Sequence, residues 1–189
     1  LNRGLYRKVD AGGDEALRRC VARPGSPDDS GVLYPVRTTN VCDNRRTTVT
    51  KSQAAAGGVA RQVPNADTRA SEARWSPDGK RITYVAAGQL WIADAMGANA
   101  RQSSNVNGGA SGPVWAPTGD RLAFVTGVYP DCDSDGCNIE RAKAADTAKV
   151  KAHVTENLLY RHWTEWTAPT RSHLFIVSPD GTGLRDVTS

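Results

Sequence analysis

Two stretches of the sequence, "WSPDGKRITYV" at 75–85 and "VWAPTGDRLAFV" at 114–125, share one pattern at a spacing of 40 residues. In each stretch a tryptophan precedes a turn that contains proline and glycine, and a strand-like run follows. Proline presets φ for the first half of a β-turn, and glycine accepts a positive φ. The run after the turn is rich in β-branched and aromatic residues, which suits a strand covered on both faces. Both stretches therefore predict a turn that leads into an inner strand.

A weaker third copy lies upstream, in "SPDDSGVLYPV" at 26–36. Four of its residues match residues found 50 positions later, namely Pro27, Asp28, Val32 and Tyr34. A second repeated element follows the strands: "LWIADAMGANARQSS" at 90–104 matches "LFIVSPDGTGLRDVT" at 174–188, and "AGGVARQV" at 56–63 belongs to the same class. Its pattern is typical of a strand, a glycine-containing hairpin turn and a short polar outer strand.

The tetrapeptide "SPDG" occurs twice, at 76–79 and at 178–181, but the two copies align with different parts of the repeat. The first precedes an inner strand. The second aligns with residues 94–97, the hairpin between two outer strands. Counting by alignment gives three repeat units, whereas counting each tetrapeptide as a unit would give four.

A period near 40 with four strands per unit is typical of a β-propeller. We predict an all-β fold, a partial β-propeller of about three four-stranded antiparallel blades at 26–66, 67–106 and 107–189, with an unassigned segment at 1–25. Propellers close with about four to eight blades, and three blades leave open edges. Because the chain also starts at Leu1 without an initiator methionine, we expect it to be a processed product or part of a longer protein.

The third unit contains an insertion at about 127–171. Helix-forming residues are dense there, and three apolar residues recur at helical spacing: Val150, Val154 and Leu158. These observations predict one helix from about Ile139 to Asn157, placed in the third blade. Long insertions in compact domains are often functional.

The stretch "LYRHWTEW" at 159–166 concentrates aromatic and charged residues near the end of this insertion. Two interpretations remain open. The aromatic side chains pack against the propeller and anchor the insertion, because large exposed aromatics are costly unless they contact something. Alternatively they form a surface for a substrate or partner, where tryptophan, tyrosine and arginine are the usual anchors.

The loop "PDCDSDGC" at 130–137 places Cys132 and Cys137 five residues apart. A local disulfide is the simplest interpretation, and it indicates an exported protein. For Cys20 and Cys42, pairing and free thiols both stay open. The same loop resembles the start of a calcium-binding loop, with aspartates at 131, 133 and 135, but Ala142 occupies the position where that motif needs an acidic residue. We favour a solvated acidic loop, and we predict no metal and no cofactor.

Several function classes lack support in the sequence. The stretch "GASGP" has Pro113 where a serine-hydrolase elbow needs glycine, and the histidines show no metal-binding spacing, so we predict no catalytic residue in this chain. The net charge is +4 and the basic residues are scattered, which does not favour a nucleic-acid partner. No apolar run approaches the 18 residues that a membrane span requires.

The blade copies "RWSPDGKRITYV" and "VWAPTGDRLAFV" resemble the N-terminal propeller of the prolyl oligopeptidase family of serine peptidases, and also Tol-type propellers. The insertion is similar to that of the bacterial acylaminoacyl-peptidase and dipeptidyl-peptidase-like branch, with its paired-cysteine loop, helix, "RHWTEW" stretch and "SHLF". "VLYPVRTTN" at 32–40 resembles the first blade of that group. Where relatives often carry an aspartate between the two tryptophans, this chain has Thr164-Glu165.

This resemblance implies a secreted or periplasmic exopeptidase in which a propeller restricts access to an α/β-hydrolase domain of the same parent protein. That domain would lie C-terminal to this chain, so the parent protein rather than the chain itself would be the enzyme. The substrate would be a short peptide, and the insertion would recognise its N-terminal end. The resemblance implies substrate-binding roles for Arg161, His162, Trp163, Glu165 and Trp166. The alternative is a non-catalytic Tol-type propeller that binds other proteins.

Overall fold

Three four-stranded antiparallel sheets make up most of the computed structural model, which describes residues 16–20, 25–40, 44–63, 70–150, 152 and 161–188, with only the backbone for 16–20 and 162. Blade one contains β1 (Ala16–Cys20), β2 (Gly31–Asn40), β3 (Arg45–Ala54) and β4 (Arg61–Gln62). Blade two contains β5 (Ser71–Trp75), β6 (Arg81–Ala86), β7 (Gln89–Asp94) and β8 (Arg101–Gln102). Blade three is built from β9 (Ser111–Trp115), β10 (Leu122–Val128), β13 (Arg171–Val177) and β14 (Arg185–Asp186). The predicted number of blades and of strands per blade is confirmed.

The strand register of blades two and three confirms both sequence alignments. In β5–β6, Trp75 pairs with Ile82, and in β9–β10 the residues 40 positions later, Trp115 and Leu122, pair in the same way. Across the next pair of strands, Val85 faces Leu90 in blade two, while Val125 faces Leu174 in blade three. The equivalent residues of these inner strands therefore occupy equivalent places in successive sheets.

The two "SPDG" tetrapeptides form different turns, as the alignment predicts. Ser76 lies before β6, where its amide donates to the carbonyl of Arg81 at 2.9 Å and its Oγ accepts the amide hydrogen of Arg81 at 2.9 Å. Ser178 follows β13, and its amide donates instead to the carbonyl of Thr182 at 2.9 Å, within the connection to β14. Both turns place their glycine at a positive φ, 69° at Gly79 and 91° at Gly181.

Apolar side chains fill the spaces between successive blades and form two buried clusters. Between blades one and two, Leu33 packs with Ile82 and Tyr84. The second cluster lies between blades two and three, with members from both: Val85, Leu90, Ile92, Val106, Ala110, Trp115, Leu122, Phe124 and Val177. Trp75 packs against the first cluster and Trp115 belongs to the second, so each repeated tryptophan lies between its own blade and the preceding one.

The first blade begins in the segment that the sequence left unassigned. β1 pairs along its whole length with β2, from Ala16 opposite Asn40 to Cys20 opposite Val36. The division of the chain into 1–25 and 26–189 stays a prediction, but a strand of blade one lies within the first of these ranges.

The helix of the insertion has different bounds from those predicted. α1 extends over Asp135–Thr147, whereas the sequence predicted about 139–157. The helix starts early because the Ser134 side chain accepts a hydrogen bond from the amide of Cys137 at 3.3 Å and caps it. It ends at Thr147, since Ala148 has ψ 131°, outside the helical region. Val150 therefore follows the helix, and Val154 and Leu158 lie outside the described residues.

Candidate functional site

The insertion begins with a short cross-linked loop. It leaves blade three after β10 and returns at β13, where Val128 pairs with Arg171. Cys132 and Cys137 form a disulfide with their Cα atoms 5.4 Å apart, which confirms that prediction. The side chains of Cys20 and Cys42 lie outside the described residues. The disulfide joins the loop to the first turn of α1 and so fixes where the helix starts relative to β10.

Asn138 in the first turn of α1 is buried and attaches the helix to the blade. Its Oδ1 accepts the amide hydrogen of Tyr129 at 2.8 Å, and its Nδ2 donates to the carbonyl of Ser134 at 3.0 Å. From the link between blades two and three, Asn107 Nδ2 donates to the backbone carbonyl of Asn138 at 3.3 Å. A buried amide with its hydrogen bonds satisfied specifies one position for the helix start.

The acidic loop does not bring its carboxylates together around one point. Asp131 forms an ion pair with Arg141 of α1, and the Arg141 guanidinium lies 5.9 Å from the ring centroid of Tyr129. Asp135 accepts a long hydrogen bond, 3.4 Å, from the amide of Asn107. In the described part of the chain, no group of three His, Cys, Asp or Glu side chains lies close enough together to hold a metal ion.

The five predicted substrate-binding residues lie together on one small hairpin. β11 (Arg161–His162) pairs with β12 (Glu165–Trp166), with Arg161 opposite Trp166 and His162 opposite Glu165. The Arg161 guanidinium lies 5.9 Å from the ring centroid of Trp166, and its Nε donates to the carbonyl of Trp163 at 3.0 Å. All five residues therefore lie on one hairpin, and the side chain of Arg161 contacts both its loop and its second strand.

The tryptophans of this hairpin are turned toward solvent. Trp163 is 86% exposed and Trp166 is 48% exposed. Trp163 also has φ 53°, the left-handed conformation that the first loop residue of a two-residue β-hairpin requires. The assignment of these side chains as an anchor or as a binding surface stays a prediction.

A cleft of about 700 Å³ lies where the insertion meets blades two and three. Val106, Thr126 and Phe175 line its blade side, and Asp133 and Asn138 line its insertion side. In the part of the chain that is described, none of the five predicted binding residues lines it. The hairpin and the cleft are therefore separate features of the insertion.

The cleft contains a histidine–carboxylate pair that joins two strands. His173 Nδ1 lies 2.6 Å from Asp186 Oδ2, which links β13 to β14. Burial raises the pKa of Asp186, but hydrogen bonds from His173 and Thr188 outweigh it and lower the pKa below its ordinary value. Sequence patterns did not single out this pair, since its two members are 13 residues apart and meet only through the strand register.

No family model matches this chain, and no curated protein matches it. Several solved structures match it in fold. The acylaminoacyl peptidase of Pyrococcus horikoshii superposes with a TM-score of 0.61 at 15% identity, over 89% of this chain and 24% of that one. The β-propeller domain of the Trilobed protease from Pyrococcus furiosus gives a TM-score of 0.51 at 13% identity, over 92% of this chain and 43% of that one.

The chain is a segment of a β-propeller. A putative TolB from Agrobacterium tumefaciens matches as well, with a TM-score of 0.55 at 17% identity over 90% of this chain and 48% of that one. Peptidases and TolB-type proteins therefore share the fold of this propeller segment. The segment spans about a quarter of the length of the acylaminoacyl peptidase. No helix in the described part of the propeller segment is long and apolar enough to cross a membrane.

Proposed function

We propose that this propeller segment restricts and selects substrates in a secreted or periplasmic serine exopeptidase that cleaves short peptides, of the acylaminoacyl- or dipeptidyl-peptidase-like kind. The catalytic α/β-hydrolase domain would lie outside this chain. The observation that carries the proposal is the superposition on acylaminoacyl peptidase over 89% of the chain, together with a helical insertion in the third blade. The Cys132–Cys137 disulfide supports an oxidising compartment.

Within this function, the hairpin of β11 and β12 would contact the N-terminal part of the peptide. Trp163 and Trp166 offer apolar faces. Glu165 offers a carboxylate on the same hairpin, opposite His162. Exposed aromatic residues beside charged ones are typical of peptide-binding surfaces, because one part supplies apolar area and the other orients the ligand.

A non-catalytic Tol-type propeller that binds other proteins is the second candidate. The TM-score of 0.55 to a putative TolB favours it as a fold relative. The two candidates differ in what the parent protein contains. A peptidase requires a nucleophile elbow of the form G-x-S-x-G after the last blade, whereas a binding module requires none.

The parent protein provides the test of catalysis. We expect the coding sequence beyond Ser189 to encode further blades and then a G-x-S-x-G motif. The complete product should release chromophore from acyl-alanyl or dipeptidyl anilides and should leave a folded protein such as lysozyme intact. Hydrolysis by the purified 189-residue chain alone, or blades that end without a hydrolase domain, would contradict the proposal.

Binding can be tested on the chain itself. We expect a short peptide to change the tryptophan fluorescence of the wild-type chain and to bind at least about tenfold more weakly after Trp163→Ala, since aromatic hot spots contribute 2 kcal/mol or more. Val59→Ala is the matched control, because Val59 is an exposed apolar residue of blade one, outside the insertion. Equal affinities for the two variants would exclude the hairpin as the binding surface.

A further inference from the structure

Blades one and two begin their second strands with the same turn. In blade two the amide of Ser76 donates to the carbonyl of Arg81 at 2.9 Å, and Ser76 Oγ accepts the amide hydrogen of Arg81 at 2.9 Å. In blade one the amide of Ser26 donates to the carbonyl of Gly31 at 2.7 Å, and Ser26 Oγ accepts the amide hydrogen of Gly31 at 2.9 Å. Gly31 therefore occupies in blade one the position that Arg81 occupies in blade two.

Arg81 has three partners at the interface between blades two and three. Its Nη2 donates to the carbonyl of Gly119 at 3.0 Å, and its guanidinium lies 5.0 Å from the ring centroid of Trp115. The hydroxyl of Ser76 is the main cause that lowers the pKa of Asp78, and the charge of Arg81 lowers it further. One guanidinium thus interacts with a ring, a carbonyl and a carboxylate.

The turns of blades one and two meet as those of blades two and three do. A β-carbon built on Gly79 would lie 3.7 Å from Pro27 Cδ, and one built on Gly119 would lie 3.7 Å from Pro77 Cδ. The β-carbon on Gly119 would also lie 3.7 Å from Arg81 Nη2, whereas at Gly79 no second atom of the described residues comes within 4 Å. The first interface therefore has the same geometry without the guanidinium.

A cleft of about 480 Å³ lies at the place where that guanidinium would be, and we call it the Trp75 cleft. Gly31 and Trp75 line it, and a β-carbon built on Gly31 would lie 4.0 Å from Cζ2 of the Trp75 ring. Trp75 is only half-buried, whereas Trp115 beneath Arg81 is 9% exposed. Among the described residues, no cationic side chain lies over the Trp75 ring.

The Trp75 cleft also holds the other two kinds of partner that Arg81 uses. Asp28 and Gly79 line it. The hydroxyl of Ser26 is the main cause that holds the pKa of Asp28 at about 2, so this carboxylate is ionised at neutral pH. In the described part of the chain, the carbonyl of Gly79 accepts no hydrogen bond. A ring, a carbonyl and a carboxylate are the groups that bind a guanidinium.

We propose that the Trp75 cleft binds the guanidinium group of an arginine supplied by a ligand, either free arginine or the C-terminal arginine of a short peptide. The guanidinium would lie over the Trp75 ring, donate to the carbonyl of Gly79 and pair with Asp28. Arg61 of β4 lines the same cleft. A ligand that carries a carboxylate beside its guanidinium is therefore favoured over a ligand with two positive charges.

The Trp75 cleft is separate from the site of the proposed function. It lies where β2 and β6 begin, at Gly31 and Arg81, whereas the insertion follows the other end of the equivalent strand, after Val128 of β10. Binding there requires neither the hairpin of β11 and β12 nor a catalytic domain. Failure of this proposal is therefore distinguishable from failure of the proposed function.

The indole N–H signals in a nitrogen-15 NMR spectrum of the 189-residue chain give a readout for each tryptophan. We expect L-arginine to shift the Trp75 signal with a dissociation constant of about 1 mM, because a ligand of this size makes few contacts. L-lysine should bind at least about fivefold more weakly, since an ammonium group neither stacks nor forms a forked pair. The Trp115 signal should not respond, because Arg81 covers that ring.

The dipeptide glycyl-L-arginine distinguishes the two sources of the guanidinium. Both ligands carry a guanidinium and a free carboxylate, and both should shift the Trp75 signal. Tighter binding of the dipeptide than of L-arginine would identify a peptide as the ligand, and weaker binding would identify the free amino acid.

Gly31→Arg supplies the guanidinium from the chain itself. This variant should abolish the response of Trp75 to L-arginine and raise the melting temperature by about 2–4 °C, the shift for one added contact of this kind. Gly31→Ala is the matched control. Its β-carbon would lie 3.4 Å from the carbonyl oxygen of Gln53, an ordinary contact, and would leave the cleft open, so L-arginine should still bind.

Arg81→Gly creates the same opening at the second interface. In this variant L-arginine should shift the Trp115 signal as well as the Trp75 signal, and it should raise the melting temperature. The variant therefore shows whether a free arginine can replace the side chain of Arg81, and it serves as a positive control for detection.

Four results would overturn the proposal. One is a Trp75 signal that shows no saturable shift up to about 20 mM L-arginine, well above the expected dissociation constant. Another is an equal response to L-lysine, which would indicate general attraction of cations. The third is unchanged affinity in Gly31→Arg, which would place the bound arginine elsewhere. The fourth is a response of Trp115 in Arg81→Gly without any response of Trp75.

Discussion

The guanidinium of Arg81 lies 5.0 Å from the ring centroid of Trp115 and donates a hydrogen bond to the carbonyl of Gly119. Trp115 and Gly119 are the tryptophan and the turn glycine at the start of blade three. A single side chain of blade two therefore contacts both residues. Trp115 is buried and belongs to the cluster between the blades. The contact therefore joins the repeat units at the point where the sequence pattern is strongest.

We expect Arg81→Ala to lower the free energy of unfolding by about 2 kcal/mol, since it removes a cation–π contact and a hydrogen bond from a charged donor. Arg81→Lys should recover only part of this loss, because an ammonium group does not stack on the indole as a planar guanidinium does. Thermal denaturation followed by circular dichroism would measure both variants. Equal stability of Arg81→Ala and the wild type would contradict the role assigned to this contact.

The inner strands and the turns could be predicted from the sequence because their signal repeats. Trp75 and Trp115, with the prolines and glycines after them, mark equivalent turns, and the observed register agrees with the 40-residue alignment. Internal repetition lets one copy confirm the other. β1 lacked such a signal, and only its pairing with β2 places it in blade one.

The insertion was less predictable, because its structure depends on contacts rather than on periodicity. The spacing of Val150 with two later residues suggested a longer helix, but the cap at Ser134 and the end at Thr147 define α1. The side chain of Thr147 donates to the carbonyl of Lys143 at 2.8 Å, a local bond that competes with helix continuation. The pairing of His173 with Asp186 likewise required the strand register, which no local pattern specifies.

Hydrogen bonds to two aspartates in equivalent turns predict that the stability of the blades depends on pH. The hydroxyl of Ser26 donates to Asp28 and lowers the pKa of that carboxyl from 3.8 to about 2. In the second copy the hydroxyl of Ser76 lowers the pKa of Asp78 in the same way. A lowered pKa in the folded state adds stability that is present above pH 4 and is lost as the pH falls toward about 2.

We therefore expect the melting temperature of the wild-type chain to fall between about pH 4 and pH 2, and to fall less in Asp28→Asn and Asp78→Asn. Ser76→Ala is the matched control for the mechanism, because it removes the donor and leaves the carboxyl in place. It should reduce the pH dependence as Asp78→Asn does. If all three variants lose stability with pH as steeply as the wild type, the two turns are not the source of the acid sensitivity.

Reduction of the Cys132–Cys137 disulfide should loosen the insertion and leave the blades intact. Because the bond closes a loop of about six residues, the chain-entropy relation gives about 2 kcal/mol for its contribution to local stability. In the double variant Cys132→Ser, Cys137→Ser, the amides of residues 137 and 138 should exchange faster than they do in the wild type. The amides of Phe124 and Leu122 in β10 serve as the internal control and should exchange at unchanged rates. Unchanged exchange at Asn138 would mean that the other contacts of Asn138 hold the helix start without the disulfide.

Gly108 lies where the link between blades two and three passes the end of β10, and it leaves no room for a side chain. A β-carbon at this position would lie 2.8 Å from the carbonyl carbon and from the amide nitrogen of Gly127, closer than such atoms approach each other. Since the obstacle is backbone, it cannot move aside as a flexible side chain does. We expect Gly108→Ala to cost about 3 kcal/mol and to lower the melting temperature by about 6–12 °C.

Gly136 in α1 is the matched control for this substitution. A β-carbon there would meet nothing closer than Ser134 Oγ at 3.9 Å. Alanine at this helical position should therefore raise stability by about 0.5 kcal/mol, because it restricts the unfolded chain and suits the helix. Thermal melts of the two variants under one set of conditions make the comparison. If the Gly108→Ala chain were as stable as the Gly136→Ala chain, the link between blades two and three could move away from β10 without a loss of stability. The insertion would then not be held at a fixed distance from blade two.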